Sequence, residues 1–284
     1  MIFNSIMKRT STRTFLDEPM SEQSLELIKD SIALVNGETG PNGNHIVFCL
    51  LDRTPRGKRT PAGTYGFIRN AQAYVSAAVP NNDGALEDFG YLLEKIIITL
   101  VPGGIGSCWL GGTFKRDDFT GSLKPDAGSI IPAVIPIGYP ETERRGMEKA
   151  MRIVVKADNK KNWRDLFYLE DFSQTLDPDL HHEVMGRLCD SFEAVRLGPS
   201  ASNKQPWRLV FDPSGRKIHF YLFEDHLYSG NKLGFSMQRI DAGIAMYHFG
   251  AVASENGFPG TWSSLDPGIG KIPQYLKYIK TYVY

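Results

Sequence analysis

The sequence predicts an α+β fold: a mixed or antiparallel central sheet packed by long helices, arranged as two pseudo-symmetric halves. Three observations carry that expectation. Helical and strand-like patterns alternate without the strict spacing of repeated strand–helix–strand units. No Gly-x-Gly-x-x-Gly follows a strand to open a helix, so a doubly wound dinucleotide fold has no support. Four residues recur in one register: Asp88, Gly90, Gly104 and Trp109 reappear 153 residues later as Asp241, Gly243, Gly257 and Trp262. Each set frames the start of a long apolar helix, its glycine stop and a following tryptophan. Glycine commonly ends helices, so one or two such matches would carry little. Four in one register imply two similar units, like a dimer written as one chain.

The elements follow in order. Pro19 and Ser21 lead into a helical pattern in which Leu25, Ile28 and Ile32 share a face, with Ser21 as its N-cap. The Gly/Asn/Pro cluster at 36–44 breaks it. Residues 46–51 and 73–79 read as buried strands, 86–101 as a core helix, and 133–138 as a short strand ending at Tyr139–Pro140. The charged stretch 141–165 reads as a surface connection. The pattern restarts near Leu176: helix over 182–196, strands over 207–211 and 218–224, and a second long helix over 239–255. The expected halves are 1–165 and 166–284.

Composition narrows the function classes. The chain has 32 Lys plus Arg against 32 Asp plus Glu, so no net charge draws it to nucleic acid or an anionic membrane. No apolar run of about 18 residues is present to span a membrane, and none near the start reads as a signal peptide. Cys49, Cys108 and Cys189 form an odd, sparse set without Cys-x-x-Cys, which fits a reducing compartment. The cytoplasm is the expected location. The six histidines lack metal-ligand spacing, and no Walker loop, His-Glu-x-x-His or Gly-x-Ser-x-Gly occurs, so no metal site and no catalytic Ser, Cys or His is expected.

Two constellations carry chemistry. In Arg9-Thr10-Ser11-Thr12-Arg13 followed by Phe15, alternate residues of an extended chain point one way. Arg9, Ser11 and Arg13 therefore converge, offering two guanidiniums and a hydroxyl to a phosphate and a second electron-rich group. A solvated basic tail is the competing reading. The second is Gly198-Pro199-Ser200-Ala201-Ser202-Asn203-Lys204-Gln205-Pro206-Trp207. Its small residues permit close backbone approach to a planar ligand, and its Ser and Asn supply donors and acceptors. An ordinary helix-to-strand loop would also explain the small residues.

Together these segments resemble the FMN-dependent nitroreductase family. Arg9-x-Ser11-x-Arg13-x-Phe15 is similar to its opening motif, and Pro199 to Trp207 to its second motif. Gly104 to Gly112 resembles the glycine-rich segment after its central helix. Ile137 to Pro140, then Asn159-Lys160-Lys161, resembles its closing strand and basic tail. The order departs from the family's. The second motif normally follows the first helix, where this chain has Asn36-Gly37-Glu38-Thr39-Gly40. Near Leu166 to Asp177 there is no Arg-x-Ser-x-Arg. The chain thus resembles the branch in which one polypeptide does the work of a dimer, with one complete and one degenerate site.

The resemblance implies a nitroreductase-like fold and an oxidoreductase that passes electrons from NAD(P)H through FMN to a small organic acceptor. A flavin-binding or interaction protein without efficient turnover is the alternative. It implies that Arg9, Thr10, Ser11 and Lys160 hold the phosphate region and Arg13 the flavin pyrimidine edge. Pro199, Ser200, Ala201 and Asn203 would contact the ribityl chain and phosphate, and the backbone at Leu110, Gly111 and Gly112 would approach the ring. No nucleic-acid or membrane partner is implied, and the chain is expected to function as a pseudo-dimeric monomer.

Overall fold

The computed structural model describes residues 1–52, 63–141, 159–224, 233–265 and 267–284. The expected surface connection therefore lies mostly outside the described residues. The chain divides into two compact units, Lys8–Ala157 and Met1–Met7 with Asp158–Tyr284. The division falls eight residues before the expected 165/166 boundary, and the first seven residues go with the second unit. Their attachment has a visible cause. The helix Ile2–Lys8 exposes N–H groups at its start, and those of Ile2 and Phe3 donate to the Glu255 carboxylate at 2.6 and 3.1 Å.

In the unit Lys8–Ala157, Ser21 caps the helix Glu22–Asn36 by accepting from the Ser24 N–H at 3.2 Å. Strands β1 (Cys49–Asp52), β2 (Ala73–Ser76), β4 (Gly106–Ser107) and β6 (Ile135–Gly138) form an antiparallel sheet in the order β1-β2-β6-β4. Strands β3 (Val79–Pro80) and β5 (Ser129–Ile130) pair separately. The long helix Asp83–Leu100, capped by Asn82, is buried on nearly every side. The short turn after it ends at Gly104 with φ +71°.

In the other unit, β8 (Trp207–Asp212), β9 (Lys217–Phe223), β11 (Leu276–Val283) and β10 (Thr261–Ser263) follow the order β8-β9-β11-β10. β7 (Phe167–Leu169) is added parallel to β8. The long helix Met237–Glu255 is buried from Gln238 through Gly250, and Gly257 just beyond it has φ +88°. An L-residue strains at that φ, whereas glycine adopts it freely. Phe192, Phe249, Phe220, Trp262 and Tyr282 join edge-on or tilted around this helix.

The fold is α+β, and each unit carries its own sheet on its own long helix. Both sheets place their first, second, fourth and third equivalent strands side by side. Three expectations shift. The strand expected over 46–51 is confined to β1, Cys49–Asp52. The strand expected over 73–79 is broken into β2 and β3. The helix expected over 182–196 is three pieces, His182–Met185, a tight turn Gly186–Leu188 and Cys189–Leu197. Gly186, at φ +50°, interrupts it. Among the described residues no helix is long and apolar enough to cross a membrane.

Candidate functional site

The two sequence constellations stand in different units, and each is built by local bonding. The segment 11–16 is extended because neighbouring segments of the same unit hold it. The Thr12 N–H donates to Ser107 O at 2.8 Å, Phe15 N–H to Arg69 O at 3.0 Å, and Leu16 N–H to Tyr139 O at 2.9 Å, while Arg13 O accepts from Arg69 N–H at 2.9 Å. Thr12, Thr14 and Phe15 are buried, whereas Arg9, Ser11 and Arg13 are half-buried and Thr10 is exposed. The two-residue period of a strand thus divides the threonines from the two arginines and Ser11. Gly106 makes room for Thr12, whose Oγ1 would lie 2.7 Å from a Cβ there.

Behind Arg9 stands a carboxylate that sequence reasoning missed. Glu94, fully buried on the helix Asp83–Leu100, lies 3.9 Å from Arg9 Nε. It also accepts the Trp109 indole N–H at 2.7 Å. Glu94 therefore places a buried counter-charge beside the Arg9 guanidinium. The Nη1 atoms of both Arg9 and Arg13 are buried and have no hydrogen-bond partner among the described residues. Buried donors are almost always paired, so two orphaned cationic N–H groups on one segment fit an anionic, electron-rich ligand.

Residues 110–112 contribute less uniformly than expected. Leu110 is buried, and its N–H and C=O both bond Val134, at 3.1 and 2.9 Å. That backbone is committed to pairing rather than to a ligand. Gly111 O accepts from Arg116 Nη2 at 2.7 Å. Burial draws the Arg116 pKa down, opposed by Tyr65. Gly112 is exposed, and a Cβ there would meet no atom within 4 Å, so it leaves open space for a planar group.

In the other unit the loop 198–205 is wound tightly. Ser202, Asn203 and Gln205 have φ of 48°, 54° and 48° without being glycine. Such residues persist only where their surroundings hold them. Gln205 N–H donates to Ser200 Oγ at 2.9 Å, and Asn203 Nδ2 donates to Asn159 O at 2.8 Å. Lys160 Nζ reaches Gly198 O at 2.7 Å and Asn203 Oδ1 at 3.4 Å. The structure thus brings Lys160 to the loop containing Pro199, Ser200, Ala201 and Asn203. Beside it, Lys161 is pushed down to about 8, first by burial and then by Arg208.

The loop is also held from the long helix. Asp241 Oδ1 accepts the Ala201 N–H at 2.9 Å. Burial raises this carboxyl to about 8, and the Ala201 bond opposes the shift. In the unit Lys8–Ala157, Asp88 does similar work on a different loop. It accepts from the backbone and side-chain N–H groups of both Asn42 and Asn44, at 2.8–3.2 Å. Gly40 admits that carboxyl, which a Cβ there would overlap.

This corrects the placement of the first-half loop. Asn36 is the last helical residue and Gly37 its cap, so the loop comparable to 198–203 is Gly40–Asn44. That loop keeps a Gly-Pro pair and two asparagines. The recurrence of Asp88 as Asp241 was visible in the sequence; their grip on the loops was not. Glu94 left no sequence signal beyond an ordinary polar residue on an apolar helix; Gln205 and Asn159 stand inside the quoted motifs, but their bonds to the loop were not legible there. Among the described residues no group of three or more His, Cys, Asp or Glu could hold a metal ion.

Fold and site together define an α+β protein with two units of like strand order and two half-buried arginines whose buried Nη1 atoms have no hydrogen-bond partner among the described residues. The chain belongs to the family described as "Putative TM nitroreductase", whose model matches residues 1–253. It is similar to a putative NADH dehydrogenase/NAD(P)H nitroreductase from Archaeoglobus fulgidus, 24% identical over 169 residues, covering 56% of this chain and 96% of that one. Among solved structures it resembles a putative nitroreductase from Thermotoga maritima, with a TM-score of 0.61 at 18% identity over 99% of this chain and 93% of that one. A putative nitroreductase from Desulfovibrio desulfuricans, in complex with FMN, aligns with 52% of this chain and 94% of its own at 19% identity, with a TM-score of 0.38.

Proposed function

We propose that this chain is an FMN-dependent oxidoreductase that passes electrons from NAD(P)H to a small organic acceptor, as a nitroreductase does. The observation that carries the reading is the pair of buried Nη1 atoms on Arg9 and Arg13 without partners. A guanidinium donor removed from water costs free energy until an acceptor reaches it. FMN, when bound, supplies the hydride-accepting chemistry that no Ser, Cys or His of this chain need provide. Membership of the family supports the same reading.

The chain's residues would bind and orient. Arg9, oriented by Glu94, would take the phosphate with Thr10, Ser11 and Lys160. Arg13 would place a fixed positive charge near the pyrimidine edge, favouring the reduced form. Pro199, Ser200, Ala201 and Asn203 would meet the ribityl chain and phosphate. Ser200 Oγ already accepts from Gln205, so its hydroxyl proton remains to donate. Gly111 and Gly112 would face the ring.

The proposal includes an internal duplication, supported by the shared strand order and the recurring aspartates, and one FMN per chain acting in a monomer. In the first-half loop Asn42 and Asn44 are spent on Asp88, which supports a single functional loop. The absorption spectrum of the purified protein should show bound flavin, and heat release should yield one FMN per chain. Two tightly bound flavins would refute the single-site reading. NAD(P)H oxidation with and without a nitroaromatic acceptor tests turnover; flavin binding without oxidation would favour a binding protein. Sedimentation of the flavin-bound protein should give a monomer.

A further inference from the structure

Asp241 is the buried carboxyl whose surroundings least resemble those of a carboxylate. It is 3% exposed. Oδ1 accepts one hydrogen bond, from Ala201, and Oδ2 is buried with no hydrogen-bond partner among the described residues. A buried carboxylate needs donors on both oxygens or a cation beside it. Among the described residues its surroundings supply neither. Arg239, two residues earlier, bonds Glu224 at 2.6 Å. His248 on the same helix meets Ala194 O.

Among the described residues, the helices and strands packed against the helix Met237–Glu255 give no cation either. On Cys189–Leu197, Arg196 is paired with Glu193 at 2.6 Å, and Cys189 and Asp190 are acids. On β8, Arg208 bonds the carbonyls of Gln205 and Trp207, and Asp212 binds the Ser214 turn. On β9, His219 meets Thr281, Lys217 pairs in the ladder beside Asp212, and Tyr221 packs on Phe172 and Tyr278. Arg187 lies over the Phe258 ring.

What Asp241 holds is the start of the strained loop. Ala201 immediately precedes Ser202 and Asn203, both at positive φ. We infer that Asp241 is a positioning residue of the cofactor loop and works as a neutral carboxylic acid, Oδ1 fixing the Ala201 N–H and Oδ2 carrying the proton. This rests on the proposed cofactor role of the loop. The raised pKa, about 8, agrees with the geometry.

The sign of the pH effect follows by linkage. Between the ordinary value of 3.8 and about 8 the folded chain keeps this proton and the unfolded chain loses it. Asp241 therefore makes stability fall as pH rises through that window, with no further loss above it. An asparagine keeps an acceptor for Ala201 and removes the titration.

The test compares Asp241→Asn and Asp241→Ala in the full chain. The readouts are amide exchange at Ala201 without FMN, thermal midpoint against pH, and FMN titration. Asp241→Asn should keep Ala201 exchange and FMN affinity within about twofold, as expected when a hydrogen bond is retained. The midpoint of Asp241→Asn minus that of the wild type should grow from pH 4 to 8 and then level off. Asp241→Ala should speed Ala201 exchange and weaken FMN by about tenfold or more, the loss of one buried hydrogen bond. Asparagine as damaging as alanine, or a midpoint difference that ignores pH, overturns the inference. Should alanine fail to fold, the asparagine arms still decide. If no variant and not the wild type binds FMN, the functional reading fails, while exchange and the pH profile still judge Asp241.

Discussion

Two aspartates, 153 residues apart in the chain, sit on two long buried helices and meet their loops on different terms. Asp88 is saturated: four N–H groups from Asn42 and Asn44 converge on its two oxygens. Asp241 receives one N–H and leaves an oxygen orphaned. The first loop turns its polar groups inward and closes on itself. The second gives the Ala201 N–H to Asp241; Asn203 is turned to Asn159 and Lys160, and Ser200 Oγ to Gln205 N–H. A loop that spends its asparagines on its own helix has little left for a ligand.

The largest effect expected from breaking this contrast is at Asp88. Asp88→Asn would set an amide NH2 against incoming N–H groups, leaving buried donors unsatisfied at a cost of about 3 kcal/mol or more. Urea unfolding measures it. A loss below about 1 kcal/mol, the worth of one ordinary hydrogen bond, would mean the Asn42–Asn44 cradle is not what holds that loop. Asp241→Asn, by contrast, should be neutral or stabilising at neutral pH.

Next comes Arg9. Its buried Nη1 has no hydrogen-bond partner among the described residues and Glu94 stands beside its Nε, and no Arg-x-Ser-x-Arg recurs in the second unit. Arg9→Ala should weaken FMN about ten- to a hundredfold, the worth of a charged hydrogen bond at about 1.5–3 kcal/mol. Fluorescence titration of FMN reads it, and unchanged affinity would remove Arg9 from the site.

Arg13→Ala should weaken FMN less and lower its reduction potential, because a fixed cation beside developing negative charge is lost. A redox titration showing the wild-type potential would disprove that role.

The smallest effects should be equal in the two units. Gly104 and Gly257 both stand at positive φ after their helices, +71° and +88°. Alanine at either should cost about 1 kcal/mol, the penalty of a left-handed L-residue. A cost confined to one of them would show that the two helix ends are not equivalent.

By itself the sequence determined most of the secondary structure. Ser21 capped its helix as read, β6, β8 and β9 appeared within two residues of their expected bounds, and both long apolar helices formed. These depend on short-range preferences and periodicity, which are written locally. The alternation of Arg9, Ser11 and Arg13 against Thr12 and Thr14 was legible for the same reason. The sequence did not disclose that 73–79 breaks into two strands, that β11 runs from Leu276 to Val283, or that Ile2–Lys8 joins the second unit. Those follow from which partner a segment meets across the chain. Tertiary structure alone also decided which carboxylates matter. Glu94, Asp88 and Asp241 look alike as polar residues on apolar helices. Only the arrival of Trp109 and Arg9, of Asn42 and Asn44, or of Ala201 alone gives each its role. A buried carboxyl's character is set by which partners reach it, and those partners come from residues 15 positions (Trp109) to 85 positions (Arg9) away in the chain.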